Sequence, residues 1–256
     1  MARTFAICNH KGGVGKTTTA VNIGAGLALR GYRVLLVDMD AQANLTDTLR
    51  VADPTPNVYD VLKGDAAADP VEVAPRLHVL PASLDLATAE VELTTAIGRE
   101  RLLLDALQPL LSRYDFVLID TAPTLGLLTI NAMVAADAVI IPLQAEYYAL
   151  KGVRGLLGVI DNVQRRVNRG LTIGGVIVTQ YDTRTTLHKQ VREAIAQQFG
   201  AAVFSTPVRN GIAIAEAQAK RSDIFAYAPD SAGAADYSGV VEEFLQRYGK
   251  PAAKRQ

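Results

Sequence analysis

Residues 4–18 read TFAICNHKGGVGKTT, and their pattern indicates the class of fold. A strand-like run, Thr4 to Cys8, leads into a glycine-rich loop, and a segment of helical period follows from about Lys16 to Arg30. Gly31 is placed to end that helix. Glycines let backbone N–H groups turn toward phosphate oxygens, and the following helix presents its N-terminus to the same charge. The order of strand, glycine-rich loop and helix therefore predicts a phosphate-binding loop.

Short apolar runs recur along the chain, and each is followed by a longer segment of helical period. Their near-continuous apolar character predicts a mainly parallel, twisted sheet with helices on both faces, the α/β fold of P-loop NTPases. We predict a single domain over residues 1–248, a flexible basic tail over 249–256 and an irregular surface excursion over Asp53 to Pro75. The other predicted strands are Arg33–Val37, Leu77–Leu80, Phe116–Ile119, Ala138–Ile141 (stopped by Pro142), Ile173–Thr179 and a short Ala202–Ser205.

The composition is that of an ordinary globular chain of 256 residues, with 49% hydrophobic and 20% charged residues. Basic and acidic residues balance at 26 each, so a nucleic acid or a membrane could be met only by a local patch. The single cysteine, Cys8, excludes an internal disulfide and an all-cysteine metal site within one chain, and we expect it in the core. The strand-like start at Thr4 and the lack of ~18 consecutive apolar residues predict a cytoplasmic protein.

Three carboxylates follow strands of the predicted sheet, where ligands of open α/β folds collect. Asp38 and Asp40 follow the strand that ends at Val37, and Asp120 closes the run that ends at Ile119. They would share an edge of the sheet with the glycine-rich loop. We expect Lys16 to reach the β- and γ-phosphates of ATP, the Thr17 hydroxyl to bind Mg²⁺, and Asp120 to hold the same ion through water.

The loop departs from the plain P-loop pattern, since His10 stands where its first glycine would fall and Lys11 adds a second lysine. The segment Lys11–Thr18 resembles the deviant Walker A motif of the ParA/MinD family of ATPases. Three further segments are similar to that family, and the last of them resembles ParA and its chromosomal Soj-type relatives more than MinD. These segments are Val34–Gln42, Asp120–Pro123 and Pro142–Gly152, and the resemblance covers about Thr4 to Tyr248.

The resemblance implies an ATPase that forms a homodimer when ATP binds. Lys11 would cross the interface to the partner's phosphates, and Asp40 would orient or activate the attacking water. Thr18 would touch the α-phosphate, and Asp38 and Asp40 would both hold Mg²⁺ through its water shell. His10 is best explained as a residue tolerated where these chains need no glycine. The catalytic set is Lys11, Lys16 and Asp40, and the nucleotide-binding set is Lys11, Gly12, Gly13, Val14, Gly15, Lys16, Thr17, Thr18, Asp38, Asp120 and, near the base, Pro207.

Residues 184–221 carry an excess of positive charge that suits a phosphate backbone. Only Glu193 and Glu216 oppose the basic residues Arg184, Lys189, Arg192, Arg209, Lys220 and Arg221, and the tail adds Lys250, Lys254 and Arg255. ParA proteins bind DNA without sequence preference through basic residues in this part of the chain. The family often has a basic pair before the segment that is Ala215–Ala217 here, whereas this chain has only Arg209. The alternative to a DNA surface is a solvated helix face around Lys189 and Arg192.

The sequence therefore predicts a DNA-partitioning ATPase that is associated with the nucleoid and stimulated by a ParB-like partner. A ParA-like ATPase that positions a protein cargo is one alternative, and a MinD-like membrane ATPase is another. The sequence of Val240–Tyr248 argues against membrane binding, because Glu242 and Glu243 would be repelled by anionic lipid. A metabolic ligase on the same fold would need a small-molecule substrate and no Lys11 from a partner. An iron–sulfur reductase would need more cysteines, and a tyrosine autokinase a terminal tyrosine cluster.

Overall fold

The β-strands form one seven-stranded sheet in the order β3-β4-β2-β5-β1-β6-β7. The computed structural model describes residues 1–52, 54–146 and 149–249. Neighbouring strands are parallel except β3 and β4, which are antiparallel at one edge. The mainly parallel sheet is confirmed. The strands are β1 (Arg3–Ile7), β2 (Val34–Met39), β3 (Val71–Ala74), β4 (Leu77–Leu80), β5 (Phe116–Thr121), β6 (Ala138–Gln144) and β7 (Thr172–Thr179).

Helices cover both faces of the sheet, as the apolar strands predicted. In β2, Leu35 and Val37 belong to one buried core while Val34 and Leu36 belong to the other, since successive side chains of a strand point to opposite faces. The helices are α1 (Lys16–Leu29), α2 (Asn44–Thr48), α3 (Val58–Lys63), α4 (Leu86–Glu92), α5 (Leu102–Leu107), α6 (Leu127–Ala135), α7 (Ala149–Arg166), α8 (Thr186–Phe199), α9 (Ile212–Ala219), α10 (Ile224–Tyr227) and α11 (Ala232–Tyr248).

The register of the central strands gathers the predicted site at one edge of the sheet. Ile7, the last residue of β1, lies opposite Asp120 in β5, and Asp120 lies opposite Asp38 in β2. The glycine-rich loop starts directly after β1. The carboxylates and the loop therefore meet at the carboxyl ends of three adjacent strands.

Two predictions about secondary structure were wrong. Ala202–Ser205 is not a strand, because residues 200–202 form a 3₁₀ turn and only Val203 makes an isolated bridge to Val176. The region from Asp53 to Pro75 is not an irregular excursion either. It contains α3, which starts with a capping box formed by Asn57 and Asp60, and the edge strand β3.

The strand β6 also runs past its predicted end at Ile141 and continues through Pro142 to Gln144. Proline is tolerated there because pairing with β1 ends at Ile140, so no neighbour on that side needs a donor from residue 142. The Pro142 carbonyl accepts a hydrogen bond from Asn9 Nδ2 at 2.7 Å. The predicted tail over 249–256 lies outside the described residues from position 250 onward, which includes Lys250, Lys254 and Arg255.

Candidate functional site: a nucleotide cleft

The glycine-rich loop borders a cleft of about 470 Å³ at the carboxyl edge of the sheet. Gly13 and Gly15 have φ angles of 72° and 86°, in the left-handed region that glycine adopts without strain. Gly15 is also the N-cap of α1, so the N-terminus of this helix opens on the loop. The loop residues that line the cleft are Gly12, Gly13, Val14, Gly15, Lys16, Thr17 and Thr18.

Lys16 lies at the base of the cleft with 7% of its surface exposed. Its Nζ makes one long contact, 3.4 Å, with the carbonyl oxygen of Lys11. Burial lowers the pKa of Lys16, and the carboxylates of Asp120 and Asp40 oppose that shift. A buried ammonium with so weak a hydrogen bond is suited to receive phosphate oxygens.

Asp120 presents an unsatisfied carboxylate to the same place. Both of its oxygens are buried and lack a hydrogen bond of standard geometry, although the Thr17 hydroxyl is close enough to favour the ionised form. Burial raises the pKa of Asp120 well above its usual range, and the nearby Asp38 adds to the effect. An unpaired buried carboxylate is costly unless a cation or its water shell completes it.

Asp38 is held more firmly than Asp120. Its Oδ2 accepts hydrogen bonds from the backbone nitrogen and the hydroxyl of Thr46, at 2.9 and 2.7 Å, and its Oδ1 accepts one from the Asp40 nitrogen at 3.2 Å. Burial raises the pKa of Asp38 to about 6, against the effect of these bonds. Asp40 itself lines the cleft, and its Oδ1 accepts a hydrogen bond from the Gln42 nitrogen. Asp38 therefore orders the loop that presents Asp40.

The donor set at the cleft fits Mg²⁺ held mainly by phosphates and water. Among the described residues, no three or more His, Cys, Asp or Glu side chains cluster to bind a metal alone. The chain offers the Thr17 hydroxyl at the start of α1 and the carboxylate of Asp120 nearby. Magnesium keeps several of its waters and is commonly bound by one or two protein oxygens together with substrate phosphates.

Lys11 points away from the cleft. Its Nζ donates hydrogen bonds to Gln144 Oε1, at 2.9 Å, and to Glu146. The side chain is 47% exposed and lines a second cavity of about 660 Å³ beside His10 and Lys151. The two lysines of the loop therefore lie in different environments. Lys16 lines the cleft, whereas Lys11 lies on the surface next to it.

The far end of the cleft is formed mostly by residues that the sequence did not single out, together with Arg209, which had been assigned to DNA. Pro207 is not among the lining residues, but the positions directly after it are. Tyr237 of α11 and Gln218 of α9 also reach the cleft from elements far from the loop in sequence, and Thr18 Oγ1 lies 3.5 Å from Gln218 Oε1. The lining at this end comprises Thr179, Gln180, Val208, Arg209, Asn210, Gly211, Ile214, Ala215, Gln218 and Tyr237.

Most of the basic residues assigned to DNA already have partners on this chain. Arg184 pairs with Asp182 at 2.9 Å, Arg209 with Asp236 at 2.7 Å, and Arg221 with Asp47 at 2.8 Å. Arg192 donates to the Ser205 carbonyl at 2.7 Å. The positions fall in two groups along the chain, Arg184, Lys189 and Arg192 in and before α8, and Arg209, Lys220 and Arg221 around α9.

Lys189 and Lys220 are exposed. Arg50, which the sequence did not single out, joins the second group because its guanidinium donates to the carbonyls of Lys220 and Arg221, both at 3.0 Å. Each group therefore keeps an exposed lysine, although much of its charge is paired.

The cleft, its buried lysine and its strand-end carboxylates define a P-loop ATPase that uses ATP and Mg²⁺. Residues 2–173 match the family model described as an AAA domain. The chain belongs to the ParA/MinD family of ATPases, and within that family it resembles the Soj-type members.

Relatives share the sequence over nearly its full length. The sporulation initiation inhibitor protein Soj of Bacillus subtilis is 44% identical over 250 residues, which cover 95% of this chain and 98% of the relative. The chromosome-partitioning ATPase Soj of Thermus thermophilus is 44% identical over 245 residues, or 96% of each chain.

Solved structures show the same fold. Cobyrinic acid a,c-diamide synthase from Mycobacterium smegmatis, with bound ADP and magnesium, has a TM-score of 0.84 at 38% identity and covers 96% of this chain and 95% of its own. A plasmid partition protein from Borrelia burgdorferi, bound to AMPPNP, has a TM-score of 0.83 at 26% identity and covers 96% and 99%. Within the described part of the chain, none of the helices has the length and apolarity needed to span a bilayer.

Proposed function

We propose that this chain is a DNA-partitioning ATPase of the ParA type. ATP closes a homodimer, the dimer binds double-stranded DNA without sequence preference, and a ParB-like partner triggers hydrolysis. In this proposal the protein is cytoplasmic and associates with the nucleoid. The name of the Thermus thermophilus relative, a chromosome-partitioning ATPase, supports the partitioning role.

The position of Lys11 carries the proposal. Phosphoryl transfer needs cations on the charge that develops at the phosphates, and Lys16 is the loop lysine that lies in the cleft of its own chain. Lys11 belongs to the same loop, yet its exposed ammonium is directed to Gln144 and Glu146 at the surface. A second subunit that docks on this surface would receive Lys11 at its own phosphates. Dimerisation and hydrolysis would then depend on one residue.

The other residues of the site, in the loop and at the strand ends, act within one subunit. Lys16 binds the β- and γ-phosphates, Thr18 lies at the position for the α-phosphate, and Asp40 orients the attacking water. Mg²⁺, when bound, would neutralise phosphate charge beside the Thr17 hydroxyl and the carboxylate of Asp120. Asp38 keeps Asp40 in place through the bond to its nitrogen, at 3.2 Å. Little covalent chemistry is required of the protein.

The surface for DNA is proposed around α8 and around the C-terminus of α9. Lys189 and Lys220 are its best candidates, because each is exposed while most of the arginines nearby are in ion pairs. A closed dimer would present two copies of each group, and contacts with phosphates need no base-reading element.

Binding of a random-sequence DNA duplex tests the proposal. It is measured with ATP, with ADP and without nucleotide across a salt series. We expect binding with ATP only, with an affinity that falls steeply as salt rises. The variant Lys189→Ala/Lys220→Ala should bind less tightly, whereas Lys63→Ala, which removes a lysine of α3 paired with Asp65, should not. Failure of the wild type to bind at low salt with ATP would overturn the proposal.

A ligase-type activity is the second candidate, because one similar structure carries the name of a diamide synthase. An enzyme of this kind would use ATP to activate a carboxylate. The two candidates differ in what accelerates ATP turnover. Stimulation by a DNA-bound partner protein favours partitioning, and stimulation by a small carboxylic acid together with an amine donor favours the ligase.

A further inference from the structure

A chain of hydrogen bonds joins Lys11 to the backbone of its own loop. Lys11 Nζ donates to Gln144 Oε1 at 2.9 Å, Gln144 Nε2 donates to Gln180 Oε1 at 2.7 Å, and Gln180 Nε2 donates to the Gly13 carbonyl at 2.5 Å. Each amide accepts through oxygen and donates through nitrogen, so every bond points the same way, from the cation to the carbonyl. Bonds in such a series polarise one another.

The two glutamines stand at the ends of neighbouring strands. Gln144 is the last residue of β6, and it lies opposite Thr179, the last residue of β7. Gln180 follows directly and has a φ angle of 51°, a conformation that is uncommon for residues other than glycine. Such backbone angles persist where surrounding contacts hold them, and they cluster at functional sites.

The last bond of the series orients a peptide group of the phosphate loop. In a planar trans peptide the C=O and the N–H point in opposite directions. A donor from Gln180 on the Gly13 carbonyl therefore directs the Val14 N–H away from Gln180. Thr179 Oγ1 acts in the same way on the Val14 carbonyl, at 2.9 Å, and so orients the Gly15 N–H. Loops of this kind hold phosphates through successive backbone N–H groups.

We propose that Gln180 is a positioning residue that couples the phosphate loop to the resting position of Lys11, with Gln144 as the link between them. When Lys11 leaves Gln144, the bond from Gln180 to Gly13 loses its polarisation and the loop is held less firmly. By reciprocity, a ligand on the loop changes how firmly Lys11 is held. The statement about the departure of Lys11 rests on the proposed function, because that is where Lys11 acts on a second subunit.

Binding of fluorescently labelled ADP to the protein without DNA tests the coupling. We expect Gln180→Met to raise the Kd for ADP roughly fivefold, the size expected for one hydrogen bond to the loop. In a Lys11→Ala background the same substitution should raise the Kd by a smaller factor. Gln164→Met is the matched control, since Gln164 also donates its amide to a backbone carbonyl, that of Leu171 at 3.1 Å, but lies in α7 away from the cleft.

Two results would overturn the proposal: an unchanged Kd for ADP in Gln180→Met, or factors for Lys11→Ala and Gln180→Met that simply multiply in the double variant. Thermal unfolding of each variant identifies any loss of folding.

A second pair of variants keeps the proposal testable without touching the loop. Gln144→Glu keeps an acceptor for Lys11 and gives it a charge, so the ATP-dependent dimer should need a higher protein concentration. Gln144→Met removes one of the two acceptors of Lys11 and leaves Glu146, so it should lower that concentration. Both substitutions remove the Gln144 Nε2 donor to Gln180, so this pair tests how residue 144 holds Lys11, and changes in the same direction in both variants would contradict that part of the proposal. Because none of these measurements contains DNA, a failure of DNA binding by the wild type would refute the proposed function separately.

Discussion

Arg209 and Asp236 form an ion pair at the rim of the nucleotide cleft, with 2.7 Å between Arg209 Nη2 and Asp236 Oδ1. Asp236 Oδ2 also accepts a hydrogen bond from the backbone nitrogen of Arg209, at 2.9 Å. Asp236 is 6% exposed, so the carboxylate of the pair is buried, whereas the Arg209 side chain is 43% exposed. The carboxylate of α11 therefore holds the segment that lines the cleft before α9. This contact favours a structural role for Arg209 over the DNA contact that the sequence suggested.

Loss of this pair should loosen the cleft. We expect Asp236→Asn to lower the free energy of unfolding by about 2 kcal/mol, because several bonds to a charged group are weakened, and to weaken ATP binding. Chemical denaturation and a nucleotide titration measure the two effects. Asp182→Asn weakens the pair with Arg184, whose side chain is 87% exposed, and is the control, for which both quantities should change much less. Wild-type ATP affinity in Asp236→Asn would contradict the role given to the pair.

Lys16 and Asp40 should separate binding from hydrolysis. Lys16→Ala removes the buried ammonium of the cleft and should abolish nucleotide binding or the dimer that depends on it. Asp40→Ala should bind ATP with nearly wild-type affinity and lose turnover, since Asp40 acts on the attacking water. Titration with a labelled ATP analogue and phosphate release measure the two properties. Wild-type turnover in Asp40→Ala would remove Asp40 from the mechanism.

Stability without Mg²⁺ and nucleotide should depend on the pH through Asp38. Burial raises the pKa of Asp38 from 3.8 to about 6, so between these pH values the native state binds the proton more tightly than the unfolded chain. The free energy of unfolding contributed by Asp38 therefore falls as the pH rises from about 4 to 6, by up to about 3 kcal/mol.

The difference in unfolding free energy between the wild type and Asp38→Asn measures this contribution together with the effect of Asp38 on Asp120, which has the same sign. The free energy of unfolding of the wild type should fall relative to that of Asp38→Asn between pH 4 and pH 7. Urea denaturation at each pH measures both values. A pH-independent difference, or one of opposite slope, would contradict the cause given for the shift.

The sole cysteine should be unreactive in the native protein. Burial raises the pKa of the Cys8 thiol to about 12, with a further contribution from Asp120, against the effects of Thr121 and Lys16. Since the thiolate is the nucleophile, a disulfide reagent at pH 8 should modify Cys8 only when the protein opens. Labelling should speed up with denaturant and slow down with Mg-ATP. The chain in concentrated denaturant is the control and should react at once, and rapid labelling of the native protein would refute the prediction.

The phosphate loop could be predicted from sequence because its parts are contiguous. The residues from Thr4 to Thr18 contain the strand, the turn and the start of the helix, and the strand ends at Asp38 and Asp120 follow from local apolar runs. The far side of the cleft could not be predicted in this way. Thr179 contacts Val14 across 165 residues, and Gln218 contacts Thr18 across 200 residues. Such pairs depend on tertiary packing, which no local pattern encodes.

The same limit explains the errors outside the cleft. A count of basic residues could not show that Arg209 and Arg221 are neutralised by Asp236 and Asp47, which come from other parts of the chain. The edge strand β3 was missed because its residues are largely exposed, so they lack the buried apolar run by which the other strands were recognised. Its pairing with β4 stabilises it instead.

Mixing two inactive variants tests most directly the claim that Lys11 acts on the partner's ATP. Lys11→Ala and Asp40→Ala should each lack ATP turnover alone. In a mixed dimer the Lys11→Ala subunit keeps Asp40 and receives Lys11 from its partner, so one site of two is complete. Random pairing in an equal mixture predicts about one quarter of the wild-type rate, since half of the dimers are mixed. A mixture as inactive as its components, or full turnover by Lys11→Ala alone, would contradict the account.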